Sequence, residues 1–127
     1  MNQSVIEWRE GGCHCGKIRF RVRAKFDEAL SCNCSMCDKT GFLHLIVAKE
    51  DFEFSQGRED LTLYQFNQKI AKHLFCRLCG VKSFYVPRSH PDGYSVNIRC
   101  VDGIDLLTVR ITPFDGRNWE SSVERIR

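Results

Sequence analysis

The chain has 127 residues, 43% of them hydrophobic, and 19 basic against 16 acidic side chains give a formal net charge of +3. A chain of this length buries roughly two-thirds of its unfolded surface, so residues 1–127 are expected to form one domain that needs no disulfide staple. The charge is too mild to demand a polyanion, which leaves nucleic acid as an open but unfavoured partner; the start "MNQSVIEWREGG" has no signal-peptide core, no apolar run reaches 18 residues, and a cytoplasmic protein without a membrane partner is expected.

In chain order, "KIRFRVRAKF" (17–26) alternates polar and apolar residues and reads as a half-buried strand with Ile18, Phe20, Val22, Ala24 and Phe26 on its inner face. "FLHLIVA" (42–48) is a short apolar run rich in strand formers. "FEFSQG" and "LTLYQFN" read as two strands around a polar turn. "KSFYVP" (82–87), "YSVNIRCV" (94–101) and "LLTVRIT" (106–112) continue the series, and the expected class is mainly β, built from antiparallel sheets with turn-borne sites. A short C-terminal helix is expected over "WESSVERI", capped by Asn118, with Trp119, Val123 and Ile126 facing the core. The chain shows no internal repeat, linker or low-complexity segment.

Between these elements lie three cysteine clusters: "GGCHCG" (Cys13, Cys15), "CNCSMC" (Cys32, Cys34, Cys37) and "FCRLCG" (Cys76, Cys79), with Cys100 alone. In a reducing compartment such pairs are more often metal ligands or catalytic groups than crosslinks. Residues two apart in an extended segment point to one side, so C-x-C aims two sulfurs at one point, and C-x-x-C does the same through a tight turn. Gly16 and Gly80 follow their pairs where a positive φ lets the turn close. Joining Cys13 and Cys15 to Cys76 and Cys79 gives four thiolates, the closed tetrahedral set of structural zinc. The remaining three suit an open, catalytic zinc, unless Cys100 closes the site; Cys100 as an inert buried thiol fits the sequence equally well.

Taken together, "GGCHCGKIRF", "CNCSMC" and "FCRLCGVKSFYVPRS" resemble the glutathione-dependent formaldehyde-activating enzyme family, which includes the core domain of centromere protein V. The resemblance runs from about Gly11 to Trp119 and implies a zinc-binding β-tent of small sheets. It implies two zinc ions per chain, a structural one at Cys13, Cys15, Cys76 and Cys79 and a potentially catalytic one at Cys32, Cys34 and Cys37. Cys100 is outside the family's ligand set. The implied activity is a carbon-sulfur lyase or synthase reaction joining glutathione, or another small thiol, to formaldehyde as S-hydroxymethylglutathione. After the middle cluster this chain carries Asp38 and Lys39, where basic residues are the family habit.

Other residues invite a role. Lys39, by proximity to the middle cluster, and Arg88, in the proline-bounded "PRSHP" loop, are candidates to hold the thiol substrate, Arg88 by clamping a carboxylate. His14 and His73, next to ligands, are expected to be hydrogen-bonding neighbours or surface residues rather than ligands. Lys17, Arg19, Arg21, Arg23 and Lys25 put a charge at every second position of one strand. Their ordinary reading is a solvated face paired to acids; the competing reading is a zinc-stabilised binding module that uses this face. The oligomeric state is not legible.

Overall fold

The computed structural model describes residues 3–126. Its strands are β1 (Glu7–Gly12), β2 (Arg19–Ala24), β3 (Glu28–Cys32), β4 (Leu43–Ala48), β5 (Phe52–Gln56), β6 (Leu61–Tyr64), β7 (Lys72–Cys76), β8 (Phe84–Val86), β9 (Gly93–Asn97) and β10 (Arg110–Phe114). The class is mainly β, as the alternation implies. A small sheet has the order β1-β2-β5, and a larger one runs β10-β3-β4-β9-β8-β7-β6. Neighbours are antiparallel except β10 and β3, which pair in parallel. No helix among the described residues is long and apolar enough to cross a membrane.

The two sheets close on one core. From β2, Phe20 and Val22 point inward with no exposed surface, and the larger sheet meets them with Leu45, Phe84 and Val96. Phe20 stacks on Phe52 at 5.2 Å between centroids and meets Phe84 edge-on at 5.7 Å. Truncating such a ring to alanine costs about 3–5 kcal/mol. On the outer face of β2 the arginines are matched by acids: Arg21 pairs with Glu53, its register partner on β5, at 2.7 Å, and Arg23 with Asp51 at 2.6 Å. Arg19 takes Asp102, and the Arg21 guanidinium also lies over the Trp8 ring at 4.3 Å. The alternating cations are therefore mostly paired, as the solvated-face reading expects.

Several elements depart from the sequence expectation. Residues 52–57 and 61–67 are not partners: β5 joins the small sheet and β6 the edge of the large one. The break falls at Gly57, whose φ of 95° and close approach to the Lys17 carbonyl exclude a side chain; a Cβ there would lie 2.3 Å from that oxygen. The strand expected over 94–101 ends at Asn97, because the Asn97 side chain accepts from the Arg99 N–H at 3.1 Å and starts a 3-10 turn. Asp105 does the same for Leu107 at 3.0 Å, so the strand expected from 106 begins only at Arg110. At the C-terminus a short helix, α2 (Trp119–Ser122), is present with Val123 buried behind it. Asn118 does not cap it; its amide donates to Asp115 at 2.7 Å instead. β1, β3 and β7, and the helix α1 (Ser35–Thr40), arise where no element was read from the sequence.

Candidate functional site

The first and third cysteine clusters meet. Cys13 and Cys15 follow β1, Cys76 ends β7, and the sulfurs of these three and Cys79 all lie within 4.8 Å of one another. Gly16 and Gly80 take φ of 82° and 76°, and their N–H groups donate to the Cys13 and Cys76 carbonyls, which closes both turns. The Cys13–Cys15 and Cys15–Cys76 sulfur separations are 3.6 and 3.7 Å. A tetrahedron with metal–sulfur bonds of zinc length has edges of about 3.8 Å, so the four sulfurs fit such an ion. The Ile18 N–H points at Cys13 Sγ from 3.3 Å and that of Leu78 at Cys76 Sγ from 3.4 Å. His14 is exposed and outside this group.

The middle cluster is built where β3 runs into α1. Cys32 is the last residue of the strand, Cys34 is the helix N-cap, and Cys37 is buried in the first turn. Their sulfurs also fall within 4.8 Å of one another, and among the described residues no fourth ligand atom joins them. The Cys34 N–H points at Cys32 Sγ from 3.5 Å and the Cys37 N–H at Cys34 Sγ from 3.4 Å. Hydrogen bonds from Cys32 and Cys37 hold the Cys34 thiol well below its ordinary range, while their hydrogen bonds to it and burial push Cys32 and Cys37 up. Gly116, just past β10, makes room: a Cβ there would sit 2.4 Å from Cys32 Sγ. Cys100 takes no part. It lies near Cys13 and Cys79, whose charges it feels, and burial pushes its thiol up to about 11.

The three sulfurs stand on the wall of a cavity of about 620 Å³. Behind them, buried His44 on β4 brings Nε2 to 3.1 Å from Cys37 Sγ, while Ser95 Oγ at 2.9 Å and Tyr85 Oη at 3.3 Å face its Nδ1. Burial drives His44 down to about 4, so the ring is neutral at pH 7. With the single Nδ1 lone pair accepting from one of the two hydroxyls, the ring N–H is on Nε2 and points at the cysteine sulfur. His73 lines the same cavity. Its ring is sandwiched between Tyr85 (5.0 Å, 12°) and Phe66 (5.3 Å, 19°), and Lys82 Nζ lies 2.6 Å from its Nδ1. Burial lowers His73 to about 4 and Lys82 to about 8. His73 is neither a neighbour of the first cluster's sulfurs nor a surface residue, although it sits three positions before Cys76. On a strand that odd spacing turns its side chain to the opposite face.

Of the candidate substrate contacts, Arg88 lines the cavity, its guanidinium 3.7 Å from the Trp119 ring centroid. It forms no ion pair among the described residues. Lys39 is exposed on α1 and is not on the cavity wall. Asp38, the acid that would oppose an anion, is neutralised by Arg117 at 2.7 Å, and Arg117 is anchored in turn by the Asn33 carbonyl at 2.7 Å. Sequence reasoning passed over His44, Tyr85, Ser95 and Lys82. His44 did carry a signal, as the lone polar residue inside the apolar run "FLHLIVA". The other three are brought in by β4–β9 and β8–β9 pairing, which no local pattern reveals.

The family model described as glutathione-dependent formaldehyde-activating enzyme matches residues 8–115. A curated protein of Halomonas elongata, named as a candidate glutathione-dependent formaldehyde-activating enzyme, is 36% identical over 61 residues, a segment that is 44% of this chain and 39% of the relative. The match thus spans about two-fifths of that relative's length. A crystal structure of a Rhodobacter sphaeroides protein superposes with a TM-score of 0.73 at 37% identity, covering 81% of this chain and 99% of the other. Its description states no activity.

Proposed function

This chain belongs to the glutathione-dependent formaldehyde-activating enzyme family, and from that premise we propose that it is a zinc-dependent carbon-sulfur lyase or synthase that makes or cleaves S-hydroxymethylglutathione. The whole of residues 1–127 acts as one domain with two zinc ions, a structural one at Cys13, Cys15, Cys76 and Cys79 and a catalytic one at Cys32, Cys34 and Cys37. The reading is carried by one observation: three cysteine sulfurs, with no fourth protein ligand among the described residues, line a cavity of about 620 Å³. That volume is in the usual range for a small-molecule site and takes a tripeptide. A site of reduced cysteines suits the reducing cytoplasm.

Zinc at this site supplies a positive charge that holds an arriving thiol as its thiolate near neutral pH. The protein then has three tasks. Cys32, Cys34 and Cys37 would hold the ion from the cavity wall, the side from which the thiol and formaldehyde would both arrive. His44, fixed by Ser95 and Tyr85, keeps the Cys37 sulfur in place and shares its negative charge. Arg88, free of any acid among the described residues, takes a carboxylate of the tripeptide and orients it. In synthesis the sulfur lone pair forms the new bond to the carbonyl carbon, the carbon-oxygen π pair moves onto oxygen, and that oxygen takes a proton. Cleavage reverses each step.

Cobalt in place of zinc tests the reading. Glutathione should strengthen the thiolate charge-transfer band and S-methylglutathione should not, because its sulfur has no proton to lose. With formaldehyde added, the protein should speed the approach to the adduct equilibrium without moving its position. A spectrum indifferent to glutathione, with no acceleration, overturns the proposal.

A further inference from the structure

Addition of a thiolate to a carbonyl leaves negative charge on oxygen, and the cavity needs a donor to receive it. Several polar groups on the wall near the sulfurs are already committed. The His44 N–H points at Cys37 Sγ, Tyr85 Oη is engaged with His44, and Arg117 is held by Asp38 and the Asn33 carbonyl. Arg88 is stacked on Trp119. His73 differs, since among the described residues its ring has one nitrogen with a hydrogen-bond partner, Nδ1 against Lys82 Nζ at 2.6 Å.

That contact decides the tautomer. A lysine ammonium has three donors and no acceptor, so the nitrogen facing it must be the ring's acceptor and the ring hydrogen must sit on Nε2. The rings of Tyr85 and Phe66 on either side prevent the imidazole from tilting away. Phe42 and Tyr85 hold Lys82 in turn, with Nζ 5.2 and 3.9 Å from their ring centroids.

Resting on the carbon-sulfur chemistry proposed above, we infer that His73 is a catalytic residue whose neutral Nε2–H binds the carbonyl oxygen of formaldehyde and delivers its proton, and that Lys82 is the positioning residue that fixes this tautomer. As the sulfur–carbon bond forms, the π pair moves to oxygen and takes the Nε2 proton. The ring is refilled at Nδ1 from the Lys82 ammonium. The proton released when the thiol bound is recovered from solvent and resets the pair, so none is gained or lost overall. A neutral imidazole is a better partner here than an imidazolium, because it leaves the thiolate its full nucleophilicity.

Nitrogen-15 NMR of the histidine rings reads the tautomer directly in the zinc-loaded protein. The expected wild-type signal for His73 is neutral, with the proton on Nε2, and Lys82→Met should convert it to a mixture of tautomers. His73→Phe keeps the aromatic stack and should slow adduct formation about 100- to 1,000-fold, the usual loss for one oxyanion donor. The glutathione-induced cobalt band should stay, and His73→Gln, which restores an N–H donor, should recover part of the rate. A His73 proton found on Nδ1, or a folded His73→Phe protein with the wild-type rate, overturns this inference and leaves the proposed function standing. Loss of the cobalt response and of all acceleration in the wild type is instead the failure of that function.

Discussion

His44 Nε2 lies 3.1 Å from Cys37 Sγ, which joins a buried strand residue to a sulfur in the first turn of a helix. Partners of this kind tune ligand charge and hold ligand orientation, and removing one typically weakens metal binding 10- to 100-fold. His44→Phe should therefore lower zinc affinity at the middle cluster by about that factor and leave the first cluster unchanged. Competition with a chromophoric chelator resolves the two sites; equal weakening at both would exclude a local effect.

Gly116 gives a second, steric handle on the same cluster. Its missing Cβ leaves space that Cys32 Sγ fills, with Cys34 Cβ 3.1 Å from the same point. Gly116→Ala should displace Cys32 and drop the metal content from two ions to one, while circular dichroism still reports a folded chain. Two ions bound at unaltered affinity would show that β10 yields to the methyl group.

The two clusters should differ in what they stabilise. Cys13 and Cys15 are tied to Cys76 and Cys79 across 61 positions at the closest pair, so that centre bridges the two sheets. Cys76→Ser should unfold or aggregate the chain, in keeping with the roughly 10–16 kcal/mol that structural zinc supplies in small peptides. Cys34→Ser should stay folded with one zinc fewer. Thermal melts with metal analysis decide it; a stable Cys76→Ser protein holding both ions would refute the division.

Arg88 should discriminate among thiols by their carboxylates. Arg88→Gln should raise KM for glutathione about tenfold, the loss expected for one charge-assisted contact of roughly 1.5 kcal/mol. KM for a thiol without carboxylates should not move. A parallel change for both would mean that the residue acts through Trp119 and the shape of the cavity.

Lys82 sets a pH dependence of stability. Burial lowers its pKa from 10.5 to about 8, so between these values the unfolded chain binds more protons than the folded one. Stability from this group therefore rises with pH through that window, and the cost of burying the ammonium is fully present below pH 8. Relative to Lys82→Met, the wild type should gain about 3 kcal/mol between pH 7 and 11. Urea midpoints across the range measure it, and a constant difference would mean that Lys82 is solvated.

Much of this was legible because it was local. The alternation in "RFRVRA" identified β2 and its inner face, and the cysteine spacings separated two groups that the structure does assemble. What could not be read is what depends on distant pairing. β3 and β7 are short and mixed in polarity, and β3 is completed by β10 lying parallel to it some 80 positions later. Lys39 looked close to the middle cluster in sequence, yet it is exposed on α1 and off the cavity wall, while Tyr85 and Ser95 arrive from β8 and β9 and Lys82 from just before β8.

The span between Cys15 and Cys76 also has a meaning in time. A ribosome adding about 5–20 residues per second makes the first two thiols roughly 3–12 s before the other pair exists. During that interval Cys13 and Cys15 are half of a four-sulfur group, and the small sheet they follow cannot be tied to the larger one through it until β7 and the turn after it have emerged.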